Sequence, residues 1–280
     1  ADVKAALDGT FAAGYTGNVT LDDTGSVAAA DISTIAGDTS GTVTVSGNMN
    51  ITGTAAAITT AVGDVDSFSG TPTAALSNAH NITQLITIND AIDGTLTLAD
   101  YTVALSGTSA QVASALDGTF ASTYTGTATV SDAHTLAQLK TINNGTSGEI
   151  TLNDYTVNLS GSSSDVAAAL DGTFASSYTG NVSLNSNHSL AELKTISSGT
   201  SGTINLNSYS IALEGTSADV SSALSGSFSS AYTGNITLTS NHSISELKTI
   251  NNATTGTITL NDYSVALAGS AADIKAALAG

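Results

Sequence analysis

The chain of 280 residues has no Cys, no Arg and no Trp, and a single Pro (Pro72) and Met (Met49). Without Cys there is no disulfide frame, no thiolate metal site and no Cys nucleophile. Five Lys stand against 23 Asp and Glu, for a formal net charge of -18. That balance excludes nucleic acid, whose binding rests on cationic contacts to phosphate, and docking on an anionic membrane. No run approaches the length of apolar sequence that spans a bilayer, so no membrane insertion is expected. Ala1-Asp2-Val3-Lys4 carries neither an initiator Met nor the charged and apolar regions of a signal peptide. The expectation is a mature product or a piece of a longer chain.

What is present is repetition. The string around Val112 (SAQVASALDGTF) returns around Val166, Val220 and Ile274 at a constant step of 54, and Ile58 lies 54 before Val112. Val3 lies 55 before Ile58, so the first unit holds one extra residue. His80, His134, His188 and His242 keep the same step, as do Tyr101, Tyr155, Tyr209 and Tyr263. Tyr124, Tyr178 and Tyr232 form another column, and Phe120, Phe174 and Phe228 a fourth. The chain is one continuous array of about five units, 1–55, 56–109, 110–163, 164–217 and 218–271, with a partial unit at 272–280. Ala1–Gly9 matches Ala272–Gly280 in phase.

One unit shows the expected elements. Residues 125–131 alternate as a strand does. Residues 135–143 place Leu136, Leu139 and Ile142 on one helical face. Residues 149–152 and 155–159 are expected strands around Asn153-Asp154. Residues 164–171 are a second helix, with Val166 and Leu170 inward and Gly172 as its C-cap. Ser189…Glu192 and Ser243…Glu246 have capping-box spacing, and Thr135…Gln138 is a weaker version.

Such short helices are marginal alone, and a unit of this size with few large apolar groups buries little core by itself. Stacked units share a core. The expected fold is an α/β repeat solenoid, β-rich with short helices and parallel strands stacked along the axis. Tandem small β-rich domains are the alternative. The segments YTVNLSGSSSDVAAAL (from Tyr155) and SDAHTLAQLKTI (from Ser131) resemble tandem repeats of very large bacterial, cyanobacterial-type surface and secreted proteins, hemolysin-like or adhesin-like. The resemblance implies an extracellular structural or adhesive role and carries no catalytic residues. The glycine- and aspartate-rich calcium nonapeptide of such proteins is absent.

The His column is a candidate metal or pH-responsive array, or a set of packing residues just before helix N-caps, with His188 against Leu193. No second His or carboxylate repeats beside it, which favours packing. Threonine alternation at Thr42–Thr44, Thr95–Thr97 and Thr257–Thr259 suggests a flat hydroxyl face like that of ice-binding solenoids, but Glu149 and Asn205 interrupt the column. Asp64 with Asp66, Asp90 with Asp93, and Asp22 with Asp23 are the metal candidates, for calcium; none completes a ligand loop. No cofactor is otherwise expected. The Tyr101, Tyr155, Tyr209 and Tyr263 column is expected to be structural. No catalytic motif appears.

These features lead to a non-enzymatic extracellular repeat protein: a filament, surface-layer or adhesin-stalk subunit whose partner is itself, head to tail. The alternative is a module binding glycan, calcium or ice through a repeated Thr/Asn/Asp face.

Overall fold

The computed structural model describes residues 2–279. It is an α/β protein with eleven short helices among the described residues and strands that pair in parallel. The chain forms two compact units, residues up to 131 with 145–149, and residues 132–144 with those from 150 onward.

The first unit holds helices α1 (Asp2–Leu7), α2 (Ala29–Gly37), α3 (Ala55–Asp64), α4 (Ile82–Ala91) and α5 (Ser109–Leu116). Strand β1 (Val19–Leu21) pairs with β3 (Val43–Val45), which pairs with β5 (Ser67–Phe68). A second sheet runs β2 (Ser26–Ala28), β4 (Asn50–Gly53), β6 (Thr73–Leu76), β7 (Leu96–Thr97), and β8 (Leu105–Gly107) pairs with β9 (Ala128–Val130).

The second unit repeats the scheme. Its helices are α6 (Leu136–Gly145), α7 (Ser163–Leu170), α8 (Leu190–Gly199), α9 (Ser217–Ala223), α10 (Ile244–Ala253) and α11 (Ala271–Ala277). Strand β10 (Ile150–Thr151) bridges to Phe174. One sheet runs β11 (Leu159–Gly161), β12 (Val182–Leu184), β13 (Thr203–Asn205), β15 (Ser227–Phe228); another runs β14 (Leu213–Gly215), β16 (Ile236–Leu238), β17 (Ile258–Thr259).

Two periods coexist. Paired strands are offset by 22 to 24 in sequence, as in Val182↔Ile204, Leu159↔Val182 and Val19↔Val43. Helices that follow one another start at a step of 27, as at 163, 190, 217, 244 and 271. Each ladder therefore lags the helices by a few residues per step. After three or four strands a sheet ends and another begins, as β14 opens before β15 closes the previous one.

The helices form where the sequence supplies caps. Asn81 with Gln84, Thr108 with Gln111, Ser189 with Glu192 and Ser243 with Glu246 are reciprocal capping boxes. Thr135 and Gln138 exchange the same two bonds, at 2.9 and 3.3 Å. Thr54, Ser162, Thr216 and Ser270 each cap one further helix. Each cap is worth about 1 kcal/mol. The inward faces bury Ile58, Val112, Val166 and Val220 completely, as they do Leu85, Leu139 and Leu193.

Three expected elements move. The second helix of the unit is 163–170, not 164–171, because Ser162 is its N-cap. Asp171, in αR geometry, is the C-cap. Gly172 serves close approach instead, since a Cβ there would overlap Asn143 Oδ1. Residues 155–158 are not a strand; of the expected 155–159 only Leu159 is, as the start of β11. The Tyr155 hydroxyl accepts from Leu152 N (3.1 Å) and Asp154 Oδ1 accepts from Thr156 N (2.7 Å), so a local turn holds this backbone until β11.

Replacing fully buried Leu139 by Ala is expected to lower stability by about 2–5 kcal/mol, whereas exposed Thr129→Ala stays within about 0.5 kcal/mol. Urea unfolding of the two variants checks this; equal midpoints would contradict the burial described.

Candidate functional site

The most regular polar constellation is buried. His80, His134 and His188 each sit just before a helix cap and are 4–5% exposed. Their Nε2 atoms lie 3.1, 3.0 and 3.0 Å from the hydroxyls of Tyr124, Tyr178 and Tyr232, each 44 residues later. Each hydroxyl donates its proton to a carbonyl 21 residues earlier: Val103 O at 2.7 Å, Val157 O at 2.6 Å and Ile211 O at 2.7 Å. A phenol has one proton. With it committed to the carbonyl, Nε2–H of the imidazole is the donor to the tyrosine oxygen. Nδ1 then carries a lone pair, and it is buried with no hydrogen-bond partner among the described residues.

This arrangement keeps the ring neutral. A second proton would sit on Nδ1, facing no acceptor. Burial pushes the pKa of His80, His134 and His188 below the ordinary imidazole value. Asp100 near His80, Asp154 and Asp132 near His134, and Glu192 near His188 act in the opposite sense and are outweighed. Burial also raises the three phenols, so they stay protonated. A ligand lone pair that a metal would need is present on Nδ1, but no group of three or more His, Asp or Glu is placed to hold a metal among the described residues.

His188 thus has a partner that the packing expectation did not name: the hydroxyl of Tyr232. The Tyr101, Tyr155, Tyr209 and Tyr263 column lies elsewhere. Each hydroxyl accepts from the backbone N–H three residues earlier, at Leu98, Leu152, Leu206 and Leu260. Asp66 Oδ2 accepts from Val43 N at 2.7 Å, and Asp64 ends α3. Asp90 and Asp93 meet Asp117 in a small polar pocket of about 230 Å³. The sequence had not linked Asp117 with that pair.

A second set of polar contacts joins neighbouring helices. Lys4 meets Asp31, Lys140 meets Asp165, and Lys194 meets Asp219, all at 2.5 Å; Lys248 meets Asp273 at 2.7 Å. These pairs face solvent, which screens them, so they add little to stability. Three of them, from Lys140, Lys194 and Lys248, recur at one repeat position and so help to set register; Lys4–Asp31 makes the same contact half a repeat out of phase.

The second unit also carries a groove of about 850 Å³ beside Phe174, Lys194 and Ser197. In it Ser197 stands where other repeats have Asn. Asn89, Asn143 and Asn251 span to a carbonyl of the next helix at 2.9 Å, whereas the shorter Ser197 reaches Ala223 O at 2.6 Å. Its lining is rich in Ser and Thr hydroxyls and includes two aromatic residues, Phe174 and Tyr178, with Asp171 and Lys194. No helix among the described residues is long and apolar enough to cross a membrane.

The neutral histidines fix a pH dependence. Their folded pKa is below the unfolded value of about 6.5, so the unfolded chain binds more protons as pH falls. The contribution of these histidines to stability is then constant above about pH 7 and declines as pH falls below about 6.5. Urea midpoints at pH 8 and pH 5 test this, and a midpoint unchanged at pH 5 would contradict it. Compared with known proteins, the chain matches no family model, no curated protein and no solved structure.

Proposed function

We propose that this chain is a structural, non-enzymatic repeat protein: a solenoid of about five 54-residue units that serves as a filament, surface-layer or adhesin-stalk subunit outside the cell. The observation that carries the reading is the His–Tyr–carbonyl link, present in the same form from His80, His134 and His188. A polar group buried identically at each repeat is a packing device, and it joins each stretch of chain to one almost a repeat later. The helix-to-helix ion pairs add the same regularity on the surface. The excess of acidic groups keeps such a surface soluble and discourages lateral collapse. The resemblance of residues 131–142 and 155–170 to repeats of large bacterial surface proteins favours the extracellular setting.

Electron microscopy of protein purified without denaturant is expected to show fibres or a lattice with a regular axial repeat, unchanged by calcium chelation. Isolated particles at every concentration would sink the assembly role.

A second reading rests on the groove at Ser197. A hydroxyl-rich depression with aromatic residues in its lining suits a polar ring such as a sugar. Under that reading a panel of oligosaccharides binds the chain, and Ser197→Asn, which restores the residue found in neighbouring repeats, reduces the binding at least tenfold without loss of stability. Equal binding by both proteins would exclude this groove.

A further inference from the structure

Four large apolar side chains are well exposed: Phe11, Tyr15, Tyr263 and Leu278. Two of them occupy positions that are buried elsewhere. Leu7, Leu116, Leu170 and Leu224 are 2–7% exposed, but Leu278 is 62% exposed. Tyr124, Tyr178 and Tyr232 are 0–1% exposed, but Tyr15, at the same repeat position, is 41% exposed. His242 is buried like the other histidines, yet among the described residues no tyrosine hydroxyl bonds its Nε2.

The sheet edges match in the same way. Strands β8, β11 and β14 have the pattern Leu-x-Gly, and each pairs in parallel with a strand that follows the next helix. Leu267-Ala268-Gly269 repeats that pattern but forms no strand. Among the described residues strand β1 has one neighbour, β3, and a free edge, and β17 likewise has only β16. A free edge is a template for another strand.

We propose that the partner of this free edge is Leu267–Gly269 of a second copy of the chain. This rests on the repeat reading above and gives it an atomic joint. Leu267 lies against Val19, Ala268 against Thr20 and Gly269 against Leu21, the register of Leu105↔Ala128 one joint further along. Tyr15 then enters beside His242 of the other copy. It accepts from Nε2–H and donates to Val265 O, as Tyr124 does with His80 and Val103. Phe11 comes beside Ile258 on β17, as Phe174 lies beside Ile150.

The same register brings α11 of one copy to the place that α1 of the other already holds. The two helices are near copies: Asp2-Val3-Lys4-Ala5-Ala6-Leu7 and Asp273-Ile274-Lys275-Ala276-Ala277-Leu278. The joint is therefore an exchange. Helix α11 displaces α1 from α2, Lys275 replaces Lys4 on Asp31, and Leu278 takes the buried seat of Leu7. Lys275 pairs with no carboxylate among the described residues, so it is free to do this. Helix α1 acts as a cap that each chain supplies to itself and that a second copy removes.

The absence of Cys makes the test clean. Thr20 and Ala268 are exposed, and neighbouring Cα atoms across a parallel pair, about 5 Å apart, are within disulfide reach. Chains carrying T20C are mixed with chains carrying A268C and oxidised. The expected product is a disulfide-linked dimer holding one of each, while either variant alone gives none. Adding K4E to the T20C chain weakens its cap and raises the yield several-fold; adding K275E to the A268C chain lowers it several-fold. Circular dichroism checks that each variant keeps its fold. T20C chains that link to one another as readily overturn the joint. Fibres without the mixed disulfide overturn this joint and leave the assembly role standing. The absence of both overturns the two together.

Discussion

A parallel strand pair cannot be closed by a tight turn, because the chain must return to the same end before it pairs again. In this protein the return from Leu159 to Val182, or from Val182 to Ile204, is made with one short helix inside it. Most other features follow. A helix that short needs a cap at its start and a neighbour along its side. The sequence supplies a hydroxyl or amide cap at most helix starts and an aliphatic face that the next helix covers. The backbones of successive layers come so close that glycine is required where they touch. A Cβ on Gly148 would overlap the carbonyl of Gly126, and one on Gly202 that of Gly180.

Much of this is legible in the sequence, and the limits have physical causes. The 54-residue step, the capping boxes at Ser189 and Ser243 and the inward Val166, Leu170, Leu139 and Ile142 follow from spacing alone. The half-step from one helix to the next does not, because successive helices share a position but few residues. Compare Leu136–Gly145 with Ser163–Leu170. The His–Tyr link is hidden for a related reason: its members lie far apart in the chain and belong to different columns, each with the same period. The groove at Ser197 could be found only by asking what an Asn side chain reaches when it is present. Residues 155–159 look like a strand because they alternate, but a tyrosine hydroxyl and an aspartate carboxylate compete locally for the backbone N–H groups.

Charge is used sparingly and by position. Four of the five lysines stand opposite an aspartate on the next helix, and the acidic helix starts at Asp165, Asp219 and Asp273 serve both the helix dipole and those lysines. Buried polar groups are treated in the opposite way: the imidazoles are kept neutral and the phenols protonated. The interior therefore carries hydrogen-bond direction without charge.

The alternation of two helix types also limits how a gene of this kind changes length. The histidine lies before one type and its tyrosine follows the other; the lysine of each pair in the second unit lies on one type and the aspartate on the next. Unequal crossing-over that adds or removes one whole repeat preserves every such partnership. A change of half a repeat places like beside like, leaving an imidazole without its phenol and, with α7 beside α9, Ala167 in the place of the lysine that meets Asp219. The inherited quantum of elongation is thus two helices rather than one, and lineages carrying longer or shorter versions are expected to differ by whole multiples of it.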